Sequence, residues 1–284
     1  MHQLSACIFD LKMDITADEP HYLDHFAGFF QQKNGPADFK LNIVTQDRIV
    51  PPEDVSIKLG GVEWIPHHSS RDGSFYAFKK GDDSEDWCCM FEVNPCWDEA
   101  GLLISREFKA PFTLIPLMDL IFRNLIVLHG GIILHASAVE FKGKNIMFSA
   151  PSETGKTTQA ALWQKHRGAS LMNDDHTALR VVDEQAFAYG VPWAKYGGKA
   201  QNCSCPLLAI VFLEQAQENR VHKIDQAEVS RRLIPRCFMP FFSKTLMNRA
   251  LDNLEKLIGH VPFYLLQCRP DEDAVDVLDK VIYT

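Results

Sequence analysis

The fold of this chain is decided by one stretch of its sequence, Ile146-Met147-Phe148-Ser149-Ala150-Pro151-Ser152-Glu153-Thr154-Gly155-Lys156-Thr157-Thr158. The apolar beginning of the stretch belongs to a strand predicted over residues 145–149, and helical spacing predicts a helix over residues 156–166. A strand, a tight loop and a helix in this order are the setting of a phosphate-binding loop, whose usual pattern is Gly-x-x-x-x-Gly-Lys-Ser/Thr. Ala150 stands in place of the first glycine, whereas Gly155, Lys156 and Thr157 match the pattern. The alternative is a chance Gly-Lys-Thr-Thr at the start of a helix.

The predicted loop has the chemistry of a nucleotide and metal site. Backbone N–H groups of the loop and the positive end of the helix dipole both favour phosphate. The Lys156 ammonium adds a full charge near the β- and γ-phosphates, and the Thr157 hydroxyl is a metal ligand in such loops. We therefore predict that ATP and Mg²⁺ are bound by Ala150, Pro151, Ser152, Glu153, Thr154, Gly155, Lys156, Thr157 and Thr158.

Two carboxylates follow the next predicted strand. Asp174 and Asp175 come directly after the short apolar run at residues 169–172. This is the kind of strand end at which metal-binding acids lie in such sheets. Because adjacent residues on a strand face opposite ways, we expect one aspartate to hold the metal ion and the other to reach a substrate hydroxyl or orient a partner. A solvated turn rich in Asp and Asn is the alternative.

A histidine precedes the loop on another predicted strand. His135 lies within a strand predicted over residues 132–141, in the segment Leu-His-Ala-Ser-Ala. A lone histidine on a strand is usually structural. Because it precedes the loop and the aspartates, we also consider a role for His135 in the site. The candidate catalytic residues are therefore His135, Lys156, Asp174 and Asp175.

The chain divides into two parts with different patterns. Residues 1–110 show short strands separated by turn residues, with one helix predicted at residues 21–31. Residues 111–284 begin with a helix predicted over residues 113–128 and continue as strands that lead into helices. The sequence thus predicts an α/β chain, α+β overall, with a β-rich N-terminal module followed by a nucleotide-binding domain with a mixed sheet.

The composition of the chain limits the classes of binding partner that we expect. The 284-residue chain has 46% hydrophobic residues, enough for a buried core, and its net charge of −8 includes no basic run suited to nucleic acid. The first ten residues lack the pattern of a signal peptide, and the apolar region at residues 114–134 is interrupted by Asp119, Arg123 and His129. We expect a cytoplasmic protein with reduced cysteines and with neither a nucleic-acid nor a membrane partner.

The order of the three motifs resembles the nucleotide-binding core shared by HPr kinase/phosphorylase and ATP-dependent phosphoenolpyruvate carboxykinase. The resemblance covers residues 132–175 and implies a mixed-sheet P-loop core of that type. By position, it makes Lys156 a phosphate ligand, and Thr157 with one of Asp174 or Asp175 the metal ligands. The other aspartate becomes a candidate general base. His135 would lie beside these acids, either orienting one of them or close to the metal ion.

The resemblance is closer to the kinases, although the chain departs from them. It is too short for a carboxykinase and lacks an evident set of anion-binding arginines. The HPr kinase signature Glu-x-Arg-Gly-Leu-Gly is missing, and residues 190–199 take its place. We expect these residues to close over phosphates, with Lys195 or Lys199 supplying charge, unless they form an ordinary surface loop. Arg231 and Arg232 have no motif context, so we assign them to the surface.

These expectations combine into one leading function, transfer of the γ-phosphoryl group of ATP to a hydroxyl with the help of Mg²⁺. The chain looks like the looser set of HPr-kinase-like proteins, some of them associated with modified-peptide gene clusters. The expected acceptor is therefore a Ser or Thr of a peptide or protein other than HPr, selected with the help of residues 1–110. Phosphorolysis and a homo-oligomeric state are further properties of such relatives. The alternatives are a nucleotide-dependent module that binds a peptide or partner without kinase activity, a small-molecule kinase, and a decarboxylating enzyme of the carboxykinase type.

Overall fold

A computed structural model of the protein describes residues 1–30, 35–50, 57–59, 62–66, 75–80, 87–106, 114–192, 201–241 and 243–283. Its contacts divide into two compact units, Met1–Phe122 and Arg123–Thr284. The division falls within helix α1 (Leu114–Leu128), whereas the predicted boundary at residues 110 and 111 lies outside the described residues. Each unit contains a mixed sheet, which confirms the α+β prediction.

The first unit is built on one of these sheets. Its strands in the described residues are β1 (His2–Ile8), β2 (Leu11–Ala17), β3 (Phe39–Gln46), β4 (Ile57–Leu59), β5 (Val62–Pro66), β6 (Phe75–Lys80), β7 (Trp87–Val93) and β8 (Glu99–Ser105). They lie in the order β1-β2-β3-β8-β7-β6-β5-β4. The helix predicted after β2 is present as a 3-10 helix, Pro20–Phe29. Alternation in β2 buries Met13, Ile15 and Ala17 on one face of the sheet.

The second unit carries the elements on which the candidate site is built. Its strands are β9 (Gly131–Phe141), β10 (Lys144–Ser149), β11 (Ser170–Asn173), β12 (His176–Val182), β13 (Gln185–Tyr189), β14 (Ser204–Gln215), β15 (Arg220–Lys223) and β16 (Phe263–Cys268). Its further helices are α2 (Lys156–Arg167), α3 (Gln226–Leu233), a 3-10 helix (Ile234–Arg236), α4 (Lys244–His260) and α5 (Glu272–Ile282). Strands β10, β14 and β16 are parallel, and their neighbours pair antiparallel.

Strand β9 organises this second sheet. It pairs with β10 along one edge and with β11 and then β12 along the other. Strands β12, β13 and β14 continue the pairing, and β14 also pairs with β10, so that five strands form a closed ring. Apolar residues dominate β9 and β10, as expected for strands that are covered on both faces.

Helix α2 is held firmly against this sheet. Trp163 is fully buried in a core cluster that includes Phe148 of β10 and Leu278 of α5. At the end of α2, the Arg167 guanidinium donates to Asp279 at 2.7 Å and so joins α2 to α5. The position of α2 fixes the loop that leads into it, which is the loop expected to bind phosphate.

None of the helices in the described ranges has both the length and the apolar content that crossing a membrane requires.

Candidate active site

The loop between β10 and α2, residues 150–155, has an open helix start. Gly155 precedes the helix with a left-handed backbone, φ 116°, and no side chain of a described residue caps the helix. The Gln159 N–H makes a helical bond to the Gly155 carbonyl at 2.9 Å, so the N–H groups before it have no acceptor within the helix. An end of this kind is suited to binding an anion.

Ala150 is compatible with this loop. The residues with a positive φ in this part of the chain are Glu153, at 64°, and Gly155, and Ala150 is not among them. A glycine is favoured where the backbone is left-handed, because a Cβ is strained there. The replacement of the first glycine of the pattern by Ala150 therefore costs the loop no backbone strain.

Lys156 lies against the loop that precedes it. Its side chain is buried, and Nζ donates to the carbonyl oxygens of Ala150 at 3.1 Å and Pro151 at 3.3 Å. The ammonium group thus lies along the inside of the loop, where it also offsets the negative ends of two carbonyl dipoles. Thr157 and Thr158, the next residues of α2, are exposed.

Strand β9 brings the loop and the two aspartates to the same level of the sheet. Ser149, the last residue of β10, pairs with Ala136 of β9. On the opposite edge of β9, the Ala136 N–H donates to the Asp175 carbonyl at 2.9 Å, and the Ser137 hydroxyl donates to the Asp174 carbonyl at 3.0 Å. Neighbouring strands lie about 4.8 Å apart, so the two backbones are separated by about 10 Å.

His135 and His176 both contact Asp175. The His135 Nε2 atom lies 3.0 Å from Asp175 Oδ1, and His176 Nε2 lies 3.4 Å from Asp175 Oδ2. The Ser149 hydroxyl, at the start of the loop, donates to the His135 carbonyl at 3.0 Å. We call His135, Asp174, Asp175 and His176 the acid–histidine cluster.

The two aspartates differ in their partners. Asp175 is held by two imidazoles, whereas Asp174 Oδ1 is buried and has no hydrogen-bond partner among the described residues. The aspartates follow the end of β11, as expected, but they lie at a bend before β12, so the strand alternation that we expected to separate them does not apply. Their different surroundings separate them instead.

Burial sets the charges around the cluster. Burial lowers the pKa of His176 to about 4; Asp175 opposes this effect, whereas the electrostatic influences of Arg123 and His135 add to it. Burial also lowers the pKa of Arg123 to about 10, against the opposing effect of Asp175. At neutral pH, His176 is therefore neutral and Arg123 is charged. The Arg123 guanidinium lies 3.5 Å from the centre of the Phe238 ring, which meets the His176 ring edge-on at 4.7 Å.

Two open pockets flank the β10–α2 loop. The first, of about 750 Å³, lies between the loop, the start of α2 and the ends of β14 and β16, and is lined by Glu153, Thr154, Gly155, Thr158, Gln159, Leu213, Gln215, Ala216, Gln217, Cys268, Arg269 and Pro270. The second, of about 520 Å³, is lined by Pro151, Ser152, Glu153, Thr154, Leu213, Glu214, Gln215, Arg232 and Arg236. Both lie beyond the carboxyl ends of parallel strands, where ligands bind in sheets of this kind.

The sequence missed three positive residues of this region. Arg123 was considered only as an interruption of an apolar stretch, and Arg236 was not considered at all. Arg232 was assigned to the surface without a role, and its partly exposed guanidinium pairs with Glu214 at 2.7 Å. The only signal for Arg236 was its place shortly after a predicted helix. Lys195 and Lys199 lie outside the described residues.

Metal ligands are sparse in this region. Within the described ranges, no group of three or more His, Cys, Asp or Glu side chains has a metal-binding arrangement. A metal ion held entirely by such side chains therefore has no site in that part of the chain. An ion that takes most of its ligands from phosphate and water requires fewer protein groups.

Comparison with known proteins gives a family. The model of the family described as SynChlorMet cassette protein ScmC matches residues 110–282, which include every residue of the candidate site. Among solved structures, the Hpr(Ser) kinase/phosphatase from Coxiella burnetii is similar, with 13% identity, coverage of 53% of this chain and 88% of that chain, and a TM-score of 0.32. No curated protein gives a significant match. Because the family model spans more than half of the chain, the protein belongs to the ScmC family of SynChlorMet cassette proteins.

Proposed function

We propose that this protein transfers the γ-phosphoryl group of ATP to a hydroxyl group, with Mg²⁺ as its metal cofactor. One observation carries the proposal: β9 has the β10–α2 loop along one edge and the acid–histidine cluster along the other. The backbones that carry the start of the loop and Asp175 are about 10 Å apart, a separation that leaves room for a phosphoryl group and its acceptor oxygen.

The phosphates would bind at the β10–α2 loop, which we regard as a P-loop. The first N–H groups of α2, which have no acceptor within the helix, favour an anion, and the helix dipole adds to this preference. The Lys156 ammonium is already directed to the inside of the loop by the Ala150 and Pro151 carbonyls. Phosphate oxygens would offer it stronger, charge-assisted hydrogen bonds than these neutral carbonyls do.

Asp174 and Thr157 would hold the metal ion. Buried charges in proteins are paired or coordinate metals, and among the described residues Asp174 Oδ1 has no hydrogen-bond partner. The Thr157 side chain, at the start of α2, adds a second oxygen donor. Mg²⁺ prefers oxygen ligands and commonly takes only one or two from the protein. When bound, it supplies charge neutralisation at the phosphate oxygens.

Asp175 would accept the proton of the attacking hydroxyl. Two imidazoles orient its carboxylate, and His176 is neutral at pH 7, so it does not cancel the negative charge. The acceptor oxygen forms a bond to the γ-phosphorus while the bond to the β–γ bridging oxygen breaks, and its electron pair stays on ADP. The proton passes to Asp175. His135 is a positioning residue in this scheme.

The acceptor we propose is a Ser or Thr hydroxyl of a peptide or protein. The family is described as one of cassette proteins, so the products encoded beside this chain are the first acceptors to test. A protein that binds nucleotide without transferring its phosphate is the main alternative. The site favours transfer, because binding alone has no use for Asp175 held between His135 and His176.

The test combines nucleotide binding with transfer of labelled phosphate. We expect the protein to bind ATP in the presence of Mg²⁺ and to label an acceptor from γ-labelled ATP. Lys156→Ala should weaken ATP binding by at least about tenfold, since it removes a charge-assisted contact. Lys165→Ala, at an exposed position of the same helix, is the matched control and should behave as wild type. Normal ATP binding and turnover by Lys156→Ala would exclude the proposed site.

A further inference from the structure

Arg236 ends the 3-10 helix Ile234–Arg236, which directly follows α3. The next residue, Cys237, forms an isolated bridge with Leu134 of β9. Leu134 immediately precedes His135 of the acid–histidine cluster. The bridge therefore attaches this segment to the strand that carries the cluster, and Arg236 is one residue away from the bridge.

This segment is attached at a second point. The Phe238 N–H donates to the Ile133 carbonyl at 3.1 Å. The Phe238 ring contacts both the Arg123 guanidinium, 3.5 Å from its centre, and the His176 ring, whose centre is 4.7 Å away. The bridge at Cys237, the Phe238 hydrogen bond and these two ring contacts together attach the segment after Arg236 to the cluster.

Arg236 also lines the 520 Å³ pocket beside the β10–α2 loop, together with Arg232. The two arginines differ in their surroundings. Arg232 donates to Glu214 and to Glu228 at 2.7 and 2.8 Å, so two carboxylates neutralise its charge. The Arg236 guanidinium has no ion pair with a described residue, and its Nε is buried without a hydrogen-bond partner among those residues.

A buried guanidinium nitrogen without a hydrogen-bond partner is costly unless a ligand supplies the missing acceptor. In this pocket, the ligand would be an anion held beside residues 151–154 of the loop. Guanidinium groups are well matched to phosphate, because their fork of donors engages two oxygens at once. Among the described residues, two acidic ones line this pocket. Glu214 pairs with Arg232, and Glu153 is exposed to solvent.

We infer that Arg236 binds the terminal phosphate of the nucleotide and remains in contact with that phosphoryl group as it moves toward the acceptor. The inference rests on the proposed function. Arg236 lines a pocket with the loop that holds the phosphates, while its backbone is fixed beside the strand of His135. It therefore lies where a cation can neutralise the charge that develops on the transferring group.

The experiment compares two nucleotides that differ in the terminal phosphate. ADP and an ATP analogue with an imido group between the β- and γ-phosphorus atoms are titrated calorimetrically, each with Mg²⁺. The proteins are wild type, Arg236→Gln, Arg236→Lys and the control Arg231→Gln, whose side chain is exposed on α3. Thermal unfolding of each variant verifies its fold.

Arg236→Gln should bind the analogue about ten- to a hundredfold more weakly, with an unchanged affinity for ADP. Arg236→Lys should bind the analogue about tenfold more weakly, because lysine keeps the positive charge but lacks the paired N–H donors of a guanidinium. If Arg236→Gln does not fold, Arg236→Lys provides the test. Arg231→Gln should match wild type. Equal weakening of both nucleotides, or no weakening, would overturn the role of Arg236 while the proposed function stands. A folded wild type that binds neither nucleotide would overturn both.

Discussion

His135 Nε2 lies 3.0 Å from Asp175 Oδ1, and the backbones of the two residues are joined at the same point of the sheet. His135 pairs with His176, the residue after Asp175, and the next residue of β9, Ala136, donates its N–H to the Asp175 carbonyl. The contact between the side chains thus follows from the register of β9 and β12. A shift of one residue would turn His135 to the other face of the sheet and separate it from Asp175.

Replacing His135 should therefore impair the chemical step more than nucleotide binding. We expect His135→Ala to lower the rate of phosphoryl transfer about ten- to a hundredfold with an unchanged KM for ATP, because only the orientation of Asp175 is lost. His135→Gln, which keeps an N–H donor, should recover part of the rate. His222→Gln, at an exposed position of β15, is the control. A rise in KM with unchanged kcat would argue for a direct role in binding.

Gly155 should be sensitive to substitution for a reason that lies in its backbone alone. Its φ is 116°, yet an added Cβ would meet no atom within 4 Å. We expect Gly155→Ala to lower the free energy of unfolding by about 1–2 kcal/mol, the cost of a left-handed backbone, and to weaken ATP binding. Gly259→Ala in α4 also meets open space and has no positive φ, so it should stabilise the protein by up to about 1 kcal/mol. Denaturant titration measures both, and a shift of the same sign in both would refute the explanation.

The part of the fold that is local in sequence could be predicted well. The strands expected at residues 132–141 and 145–149 and the helix at 156–166 are each within one residue of β9, β10 and α2. Their apolar runs and the glycine between them are strong local signals. Strand β15 was not predicted, because Arg220-Val221-His222-Lys223 is a short polar edge strand whose pairing with β16 leaves no apolar pattern.

The candidate site could be predicted only in part, for a similar reason. The loop, His135 and the two aspartates lie within 40 residues of one another and belong to recognisable motifs. Arg236 joins the region through a bridge between residues about 100 positions apart in the chain, Leu134 and Cys237. No periodicity or spacing in the sequence reports such a contact. The different roles proposed for Asp174 and Asp175 likewise depend on side-chain partners that only the folded chain provides.

A further prediction concerns His260, the last residue of α4. Its Nε2 lies 2.8 Å from Glu184 Oε2, and its Nδ1 lies 2.7 Å from the Lys256 carbonyl oxygen. The hydrogen bond to Glu184, followed by that to Lys256, raises the pKa of His260 above its ordinary value. This pair therefore stabilises the fold below the pKa that the histidine has in the unfolded chain, and the contribution is lost as the pH rises through the raised folded value.

Glu184→Gln should lower the pKa of His260, as measured by NMR titration of the imidazole. The variant should also no longer lose this stability as the pH rises through the raised pKa that His260 has in the folded wild type. Glu255→Gln, which replaces an exposed acid on the same helix, is the matched control and should leave the titration close to that of wild type. If Glu184→Gln leaves the pKa unchanged, the helix terminus and the Lys256 carbonyl must account for the shift.

The roles of Asp174 and Asp175 can be separated by the dependence of activity on Mg²⁺. Asp174→Asn removes the carboxylate proposed to hold the ion, so the Mg²⁺ concentration for half-maximal activity should rise at least about tenfold, with part of the rate restored at high Mg²⁺. Asp175→Asn removes the proton acceptor and should lower kcat about 10²- to 10⁴-fold at every Mg²⁺ concentration. Asp183→Asn, in the exposed turn between β12 and β13, is the control. The opposite pattern would exchange the two roles. An identical response of both variants would mean that neither carboxylate has a role of its own. The different surroundings of Asp174 and Asp175 among the described residues would then not separate metal binding from proton transfer.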